Sequence, residues 1–242
     1  MKDIFSAQSE AYAKFRPKYP PELFDFLYQQ IPEFKTAWDC GTGNGQVAVV
    51  LSKKFDKVFA TDISENQIRY AIKKENITYK IEPAEQTNFS DHLFNLITVA
   101  QAIHWFDFEK FYAKVYRTLK SRGLIAVIGY HLCRVNAAID CIIDDFYNNT
   151  LCNYWDFERK YIDEKYQTIS FPFKEIIVPV FSMQYNWSLN DLIGYLNTWS
   201  AVQHFIEKNN YNPVNDLQKK LIPLWIDQRS VSFPLICRLG MA

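Results

Sequence analysis

Trp38-Asp39-Cys40-Gly41-Thr42-Gly43-Asn44-Gly45-Gln46 decides how the rest of the chain is read. Only seven glycines occur in 242 residues, and three of them stand in these nine positions. Thr36–Cys40 reads as a strand and Gln46–Lys54 as a helix, so the glycines form the turn between them. Glycine permits positive φ and lets a ligand approach the backbone closely. A Gly-rich strand-to-helix turn at the carboxyl edge of a sheet is a nucleotide-binding site by geometry. The spacing narrows the ligand. The dinucleotide fingerprint requires Gly-x-Gly-x-x-Gly/Ala, and counting from Gly41 its third position is Gln46. A phosphate-cradling loop requires Gly-Lys-Ser/Thr, and here Gly45 is followed by Gln46. The pattern is instead Asp-x-Gly-x-Gly-x-Gly. The Asp39 carboxylate beside the turn opposes a pyrophosphate and suits a cationic ligand.

Outward from this turn the chain alternates short strands and helices. Strands are predicted at Lys57–Thr61, Ile77–Ile81, Leu96–Ala100 and Leu124–Gly129. Ser64-Glu65-Asn66-Gln67 is a capping box opening a helix to about Glu75. Asp107 caps another over Phe108–Leu119, and Pro21 opens an N-terminal helix to about Gln30. Five strands alternating with helices predict an α/β fold with a parallel, doubly wound sheet covered by helices on both faces. Residues 131–175 break the rhythm and are expected to form a helical insertion or lid after strand five. A strand at Ile176–Tyr185, a helix from Ser188 to about Trp199, a helix near Leu217–Trp225 and a last strand at Val231–Leu239 complete the expectation. The whole reads as one domain: N-terminal cap helices over 1–35, a core over 36–130, the insertion over 131–175, and closing elements over 176–242.

Asp62 ends the second strand. An acid there can accept both ribose hydroxyls of a bound adenosine; it fits NAD as well and does not by itself choose the cofactor. S-adenosylmethionine (SAM) carries a sulfonium and an ammonium and no phosphate, which suits Asp39.

The glycine turn with Asp62 resembles the class I SAM-dependent methyltransferases, a resemblance that implies a Rossmann-like, seven-stranded, mostly parallel sheet with the last strand antiparallel. Pro83-Ala84-Glu85, Phe89 and Asp91-His92-Leu93-Phe94-Asn95-Leu96-Ile97 resemble that family's segment between strands three and four. Ala100-Gln101-Ala102-Ile103-His104-Trp105-Phe106-Asp107 is similar to a subgroup of trans-aconitate and small-molecule methyltransferases, as are Tyr12, Arg16-Pro17, Tyr19-Pro20, Thr198-Trp199-Ser200 and the closing Phe233-Pro234-Leu235 with Arg238-Leu239-Gly240. The resemblance implies that SAM is held by Tyr12, Arg16, Asp39, Gly41, Thr42, Gly43, Asp62, Ile63, Gln67, Ala84, Glu85, Gln101 and Trp105, leaving as S-adenosylhomocysteine. Within that set, Glu85 would accept from the adenine amino group and Arg16 would pair with the methionyl carboxylate. Trp105 and Tyr12 would wall the cofactor, with an aromatic face toward the sulfonium. His104 is the candidate catalytic base or orienting group. Arg134 and His131 are candidates to hold an acidic substrate. Gln101-Ala102-Ile103-His104 lacks the Asn/Asp-Pro-Pro-Tyr/Phe motif of methyltransferases acting on exocyclic base nitrogens.

Lys plus Arg and Asp plus Glu both total 27, so there is no positive excess of the kind that nucleic-acid backbone demands. Five scattered cysteines with no C-x-x-C pair read as reduced thiols. Met1 to Ala13 hold no apolar run of signal-peptide length. Leu96–Ile103 and Gly123–Tyr130 are too short to span a bilayer. A cytoplasmic location, no membrane and no nucleic-acid partner are therefore expected. The histidines lack ligand spacing, so no metal is expected. A small-molecule substrate is expected, with a carboxylic acid in view and the oligomeric state open. An NAD-dependent oxidoreductase, a SAM-binding protein without catalysis, and methylation of a protein or tRNA stand as alternatives.

Overall fold

Strand residues alternate between two faces, and this alternation builds the core. A computed structural model of the chain describes residues 15–242. In it, β1 (Thr36–Cys40), β2 (Lys57–Asp62), β3 (Ile77–Ile81), β4 (Phe94–Ala100) and β5 (Leu119–Tyr130) run parallel in the order β3-β2-β1-β4-β5. Successive residues go to opposite sides. Ala37, Leu96 and Leu124 join one apolar cluster, while Trp38, Ile97 and Ile125 join the other. The first cluster takes Leu23, Phe24 and Leu27 of α1 (Pro21–Gln29) and Val47, Ala48 and Leu51 of α2 (Gln46–Leu51). Past β2, α3 (Glu65–Arg69) begins at Ser64. The opposite cluster takes Phe111, Tyr112 and Val115 of α4 (Phe108–Thr118). The sheet is therefore covered on both faces, as buried parallel strands require.

Both N-caps form, but the capping box at Ser64 is one-sided, because Gln67 Oε1 has no hydrogen-bond partner among the described residues and Ser64 N donates to Asp62 Oδ1. Ser64 Oγ accepts from Gln67 N at 3.3 Å, and Asp107 Oδ1 accepts from Lys110 N at 3.2 Å. The helix at Ser64 is shorter than expected. It ends at Arg69, where the Lys73 ammonium donates to the Ile68 carbonyl at 2.8 Å and satisfies one of the open acceptors of the last turn.

After β5 come α5 (Ala137–Asp145), a π-helical turn over Phe146–Thr150, and α6 (Lys160–Asp163). This is the expected helical insertion. The strand predicted at Ile176–Tyr185 is instead two, β6 (Lys174–Ile176) and β7 (Ser182–Trp187). Pro179 lies between them and cannot donate to a ladder; flanking Ile177 and Val180 are 94% and 97% exposed. The helix predicted from Ser188 to Trp199 breaks after α7 (Leu189–Leu196), and α8 (Ser200–Asn209) and α9 (Val214–Leu221) follow. The last strand, β8 (Arg229–Met241), is antiparallel as expected. Its end lies between β5 and β6, giving the order β3-β2-β1-β4-β5-β8-β6, and its beginning pairs with β7 as an eighth strand.

The aromatic residues of the second half form mostly core. Trp187, Tyr195, Trp199 and Trp225 are buried in a third apolar cluster. No helix among the described residues is long and apolar enough to cross a membrane.

Candidate functional site

The strand order reverses between β1 and β4, and a crevice opens beyond their carboxyl ends, where open α/β sheets bind ligands. The turn leaving β1 carries φ values of +67°, +55° and +84° at Gly41, Gly43 and Gly45. At Gly41 a Cβ would sit 2.5 Å from the Ala102 Cβ and 3.3 Å from the Phe106 ring. Glycine is required there by both conformation and space. Asp39 fixes the turn. Its Oδ2 accepts from Thr42 Oγ1 at 2.5 Å and from Ala48 N at 3.1 Å, and its Oδ1 accepts from Thr98 Oγ1 at 2.8 Å. One 1%-exposed carboxylate thus ties together β1, the turn, α2 and β4. Burial pushes its carboxyl up to about 6, with the charge of Asp62 acting in the same direction and the three donors acting against it.

The turn forms the floor of a cleft of about 1040 Å³, partly open to solvent. Of the residues expected at the cofactor, Arg16, Asp39, Gly41, Thr42, Gly43, Asp62, Ile63, Gln67, Ala84, Gln101 and Trp105 line it. Tyr12 lies outside the described residues. Glu85 does not line the cleft. Its Oε1 accepts from Asp107 N at 2.9 Å, which turns the side chain toward the start of α4 and a separate surface groove. The acid that does line the cleft is Glu82, one residue past β3, with Oε1 3.5 Å from the Lys80 ammonium and Oε2 buried. The sequence signal for Glu82 was its position after a strand end, the same signal that singled out Asp62. Tyr19, Phe106 and Tyr130 also line the cleft; Tyr19 and Phe106 stand in stretches that carry the family resemblance, and no local pattern marks Tyr130.

Asp62 Oδ2 accepts from Gly43 N at 2.8 Å and Oδ1 from Ser64 N at 2.9 Å, so the acid is oriented by the glycine turn and the start of α3. Gln101 has a φ of +53° at the end of β4. It is held by Gln101 N to the Ile128 carbonyl at 2.8 Å and Nε2 to the Tyr130 carbonyl at 3.0 Å. Non-glycine residues persist in this region only where the surroundings over-determine them. Arg16 Nη1 donates to Tyr130 Oη and Nη2 to the Thr198 carbonyl, both at 3.0 Å.

Arg16, Gln101 and Trp105 also line a second, smaller chamber, partly open to solvent and of about 520 Å³ with that open space included, with His104, Trp155, Asp156, Arg159 and Trp199. His104 is 6% exposed, and its Nδ1 lies 3.4 Å from Tyr166 Oη. Burial, with the Arg159 charge acting in the same direction, pulls the imidazole down to about 3. His104 is therefore neutral at pH 7. Arg134 and His131 are absent from this chamber. Arg134 pairs with Asp144 at 2.7 Å and His131 with Asp163 at 3.0 Å. The cation supplied by the insertion is Arg159.

Residues 38–127, the segment from β1 into β5, match the family model described as a methyltransferase domain. A candidate methyltransferase of Dictyostelium discoideum is 34% identical over 224 residues, covering 91% of this chain and 85% of that one. The chain belongs to the class I SAM-dependent methyltransferases. A solved structure of a candidate type II methyltransferase from Anaeromyxobacter dehalogenans is similar over 94% of this chain and 98% of its own, at 33% identity and a TM-score of 0.87. A Bacillus halodurans candidate methyltransferase, at 17% identity, a TM-score of 0.52 and coverage of 92% and 99%, shares the fold.

The methyltransferase cleft suits its cofactor. Among the described lining residues, the carboxylates Asp39, Asp62 and Glu82 face Arg16 as the single cation. That balance favours a sulfonium-bearing ligand and disfavours a pyrophosphate. Two buried acceptors of lining residues, Gln67 Oε1 and Glu82 Oε2, have no hydrogen-bond partner among the described residues. A ligand bearing amino and hydroxyl donors would relieve both.

Proposed function

We propose that this methyltransferase acts on a small molecule, a carboxylic acid, held in the chamber beside the cofactor cleft, and that its relatives in function are the trans-aconitate and small-molecule methyltransferases. The observation that carries this reading is the junction itself: Arg16, Gln101 and Trp105 line both cavities, so a reacting atom in the small one lies next to the large one. In this reading residues 1–242 act as one domain, and the insertion over 131–175 supplies the outer wall of the chamber through Trp155, Asp156 and Arg159.

SAM, when bound, supplies the methyl group as an electrophile. The chain's own residues orient and enclose. Asp62 accepts from the ribose hydroxyls, with its rotamer fixed by Gly43 N and Ser64 N. Glu82 and Gln67 accept from the remaining donors of the adenosine, a role first expected at Glu85. Arg16 holds the methionyl carboxylate. Asp39 acts from beneath the turn, shaping it and adding negative potential under the sulfonium. Trp105 walls the passage between the cavities and limits water at the reacting atoms. A carboxylate nucleophile needs no base. This agrees with His104, whose conjugate acid lies far below neutral pH and makes it a weak proton acceptor. We assign His104 to hydrogen-bonding and orienting the acceptor.

Thermal-shift titration with S-adenosylhomocysteine, SAM and NAD tests the cleft. A ligand at about a hundred times its dissociation constant adds roughly 2.7 kcal/mol of stability. The expected response is to the two adenosyl compounds, and a response to NAD alone rejects the assignment. Asp62→Ala should weaken S-adenosylhomocysteine binding; unchanged affinity removes the ribose role. Transfer of a labelled methyl group from SAM to a panel of carboxylic acids tests the substrate reading.

A further inference from the structure

The small chamber holds two opposite charges that do not neutralise each other. Asp156 and Arg159 share one 3-10 turn, in which Arg159 N donates to the Asp156 carbonyl at 3.0 Å, yet their side chains form no ion pair. Arg159 is set from behind. Its Nε donates to Tyr147 Oη at 2.8 Å and lies 3.5 Å from Asp163 Oδ1, and its guanidinium lies 4.8 Å from the Trp155 ring centroid. Its two terminal nitrogens donate to nothing among the described residues. Asp156 Oδ2 is buried and has no hydrogen-bond partner among them.

Each group alone asks for a different ligand. A guanidinium with its terminal edge free presents parallel donors that match a carboxylate. A buried carboxylate oxygen without a donor is costly and asks for an ammonium or hydroxyl. A simple monoanion would pair with Arg159 and leave Asp156 opposed to it. A simple amine would pair with Asp156 and face both Arg159 and Arg16. A molecule carrying both groups satisfies both. Trp105, Trp155 and Trp199 give the rest of the chamber broad flat faces, suited to a bulky apolar or aromatic body.

We propose that the methyl acceptor is an amino-acid zwitterion with an aromatic or bulky apolar side chain, its carboxylate on Arg159 and its ammonium on Asp156. A carboxylate oxygen forms the new O–CH3 bond as the S–CH3 bond of SAM breaks, with S-adenosylhomocysteine as the leaving group and no proton to remove. This rests on the chamber being the acceptor site of the reading above, and narrows its carboxylic acid to one that also carries an ammonium.

The test is calorimetric titration of the full chain saturated with S-adenosylhomocysteine, so that the methionyl position is already filled. The probes are L-phenylalanine and L-tryptophan, their desamino acids 3-phenylpropionate and indole-3-propionate, and their decarboxylated amines phenethylamine and tryptamine. At least one amino acid should bind about tenfold or more tightly than both of its single-charge relatives, the size of one charge-assisted hydrogen bond. Arg159→Gln should reduce its affinity to that of the amine, and Asp156→Asn to that of the desamino acid, with S-adenosylhomocysteine binding retained as the sign of a folded cleft. A desamino acid binding as tightly as its amino acid, or no amino acid binding to protein that holds S-adenosylhomocysteine, overturns the proposal. Failure of the wild-type chain to bind S-adenosylhomocysteine overturns the cofactor assignment instead, and the two failures are separate readouts.

Discussion

Replacing His104 with Gln should make this methyltransferase more resistant to mild acid. The imidazole is 6% exposed and titrates near 3 in the folded chain, against 6.5 for an ordinary histidine. Between those values the unfolded chain takes up a proton that the folded chain refuses, so stability falls as pH falls. At pH 5 the gap from 6.5 is 1.5 pH units, and at about 1.4 kcal/mol per unit the wild-type chain loses about 2 kcal/mol through this one group. For a chain of this length that is roughly 4–8 °C in Tm. Asp39 works in the opposite direction. Its carboxyl is raised from 3.8 to about 6, so the folded chain binds the extra proton and gains stability as pH falls through that range. Asp39 is common to both proteins, as are His92, His131 and His204, and their contributions cancel in the comparison. The assay is urea unfolding of wild type and His104→Gln at pH 7 and pH 5, taking the difference of the two pH-induced losses. Equal losses in the two proteins would refute the argument. So would an NMR titration of the wild-type imidazole with a midpoint near 6.5, a measurement that needs no variant.

Other perturbations follow from the same geometry. Gly41→Ala places a methyl 2.5 Å from the Ala102 Cβ at a φ of +67°; it should cost at least the ~1–2 kcal/mol of a left-handed non-glycine residue and abolish S-adenosylhomocysteine binding, read by chemical denaturation and calorimetry. Glu82→Gln should weaken S-adenosylhomocysteine binding about tenfold, in line with loss of a charged hydrogen bond, whereas Glu85→Gln should leave it unchanged; the opposite ranking in titration would restore Glu85 to the cofactor. Arg238→Met removes donors to the Tyr166 and Ile169 carbonyls at 2.8 and 2.7 Å and a 2.5 Å pair with Glu175. It should cost about 3 kcal/mol in urea unfolding, and it should perturb the near-ultraviolet signal of the insertion that Tyr166 anchors.

How much was legible depended on how local each constraint was. Gly41, Gly43 and Gly45 could be assigned to a ligand-facing turn because positive φ is a property of single residues. Ser64 and Asp107 could be assigned as caps because a cap reaches only three residues along its own chain. The break between β6 and β7 was also readable at Pro179, although the apolar run around it suggested one strand. Glu85 could not be placed from its neighbours, since its partner is the backbone of Asp107, 22 residues on. Asp39 was chosen for its charge, and its two oxygens are taken up by Thr42, Ala48 and Thr98, the last of them 59 residues away.

From sequence alone came the doubly wound sheet, the antiparallel last strand, the nucleotide-type turn and the preference for a cation over a pyrophosphate beside it. The sheet, the turn and the cation preference rest on periodicity, spacing and the backbone freedom of glycine, which act over a few residues, whereas the antiparallel last strand was implied by the resemblance to the family. Only the tertiary structure decided that Glu82 faces the cleft in place of Glu85, that His104 is held neutral, and that Arg159, with no marker in its own segment, brings a cation to the chamber beside Trp105. Those outcomes depend on burial and on partners far along the chain, and burial is a property of the assembled fold.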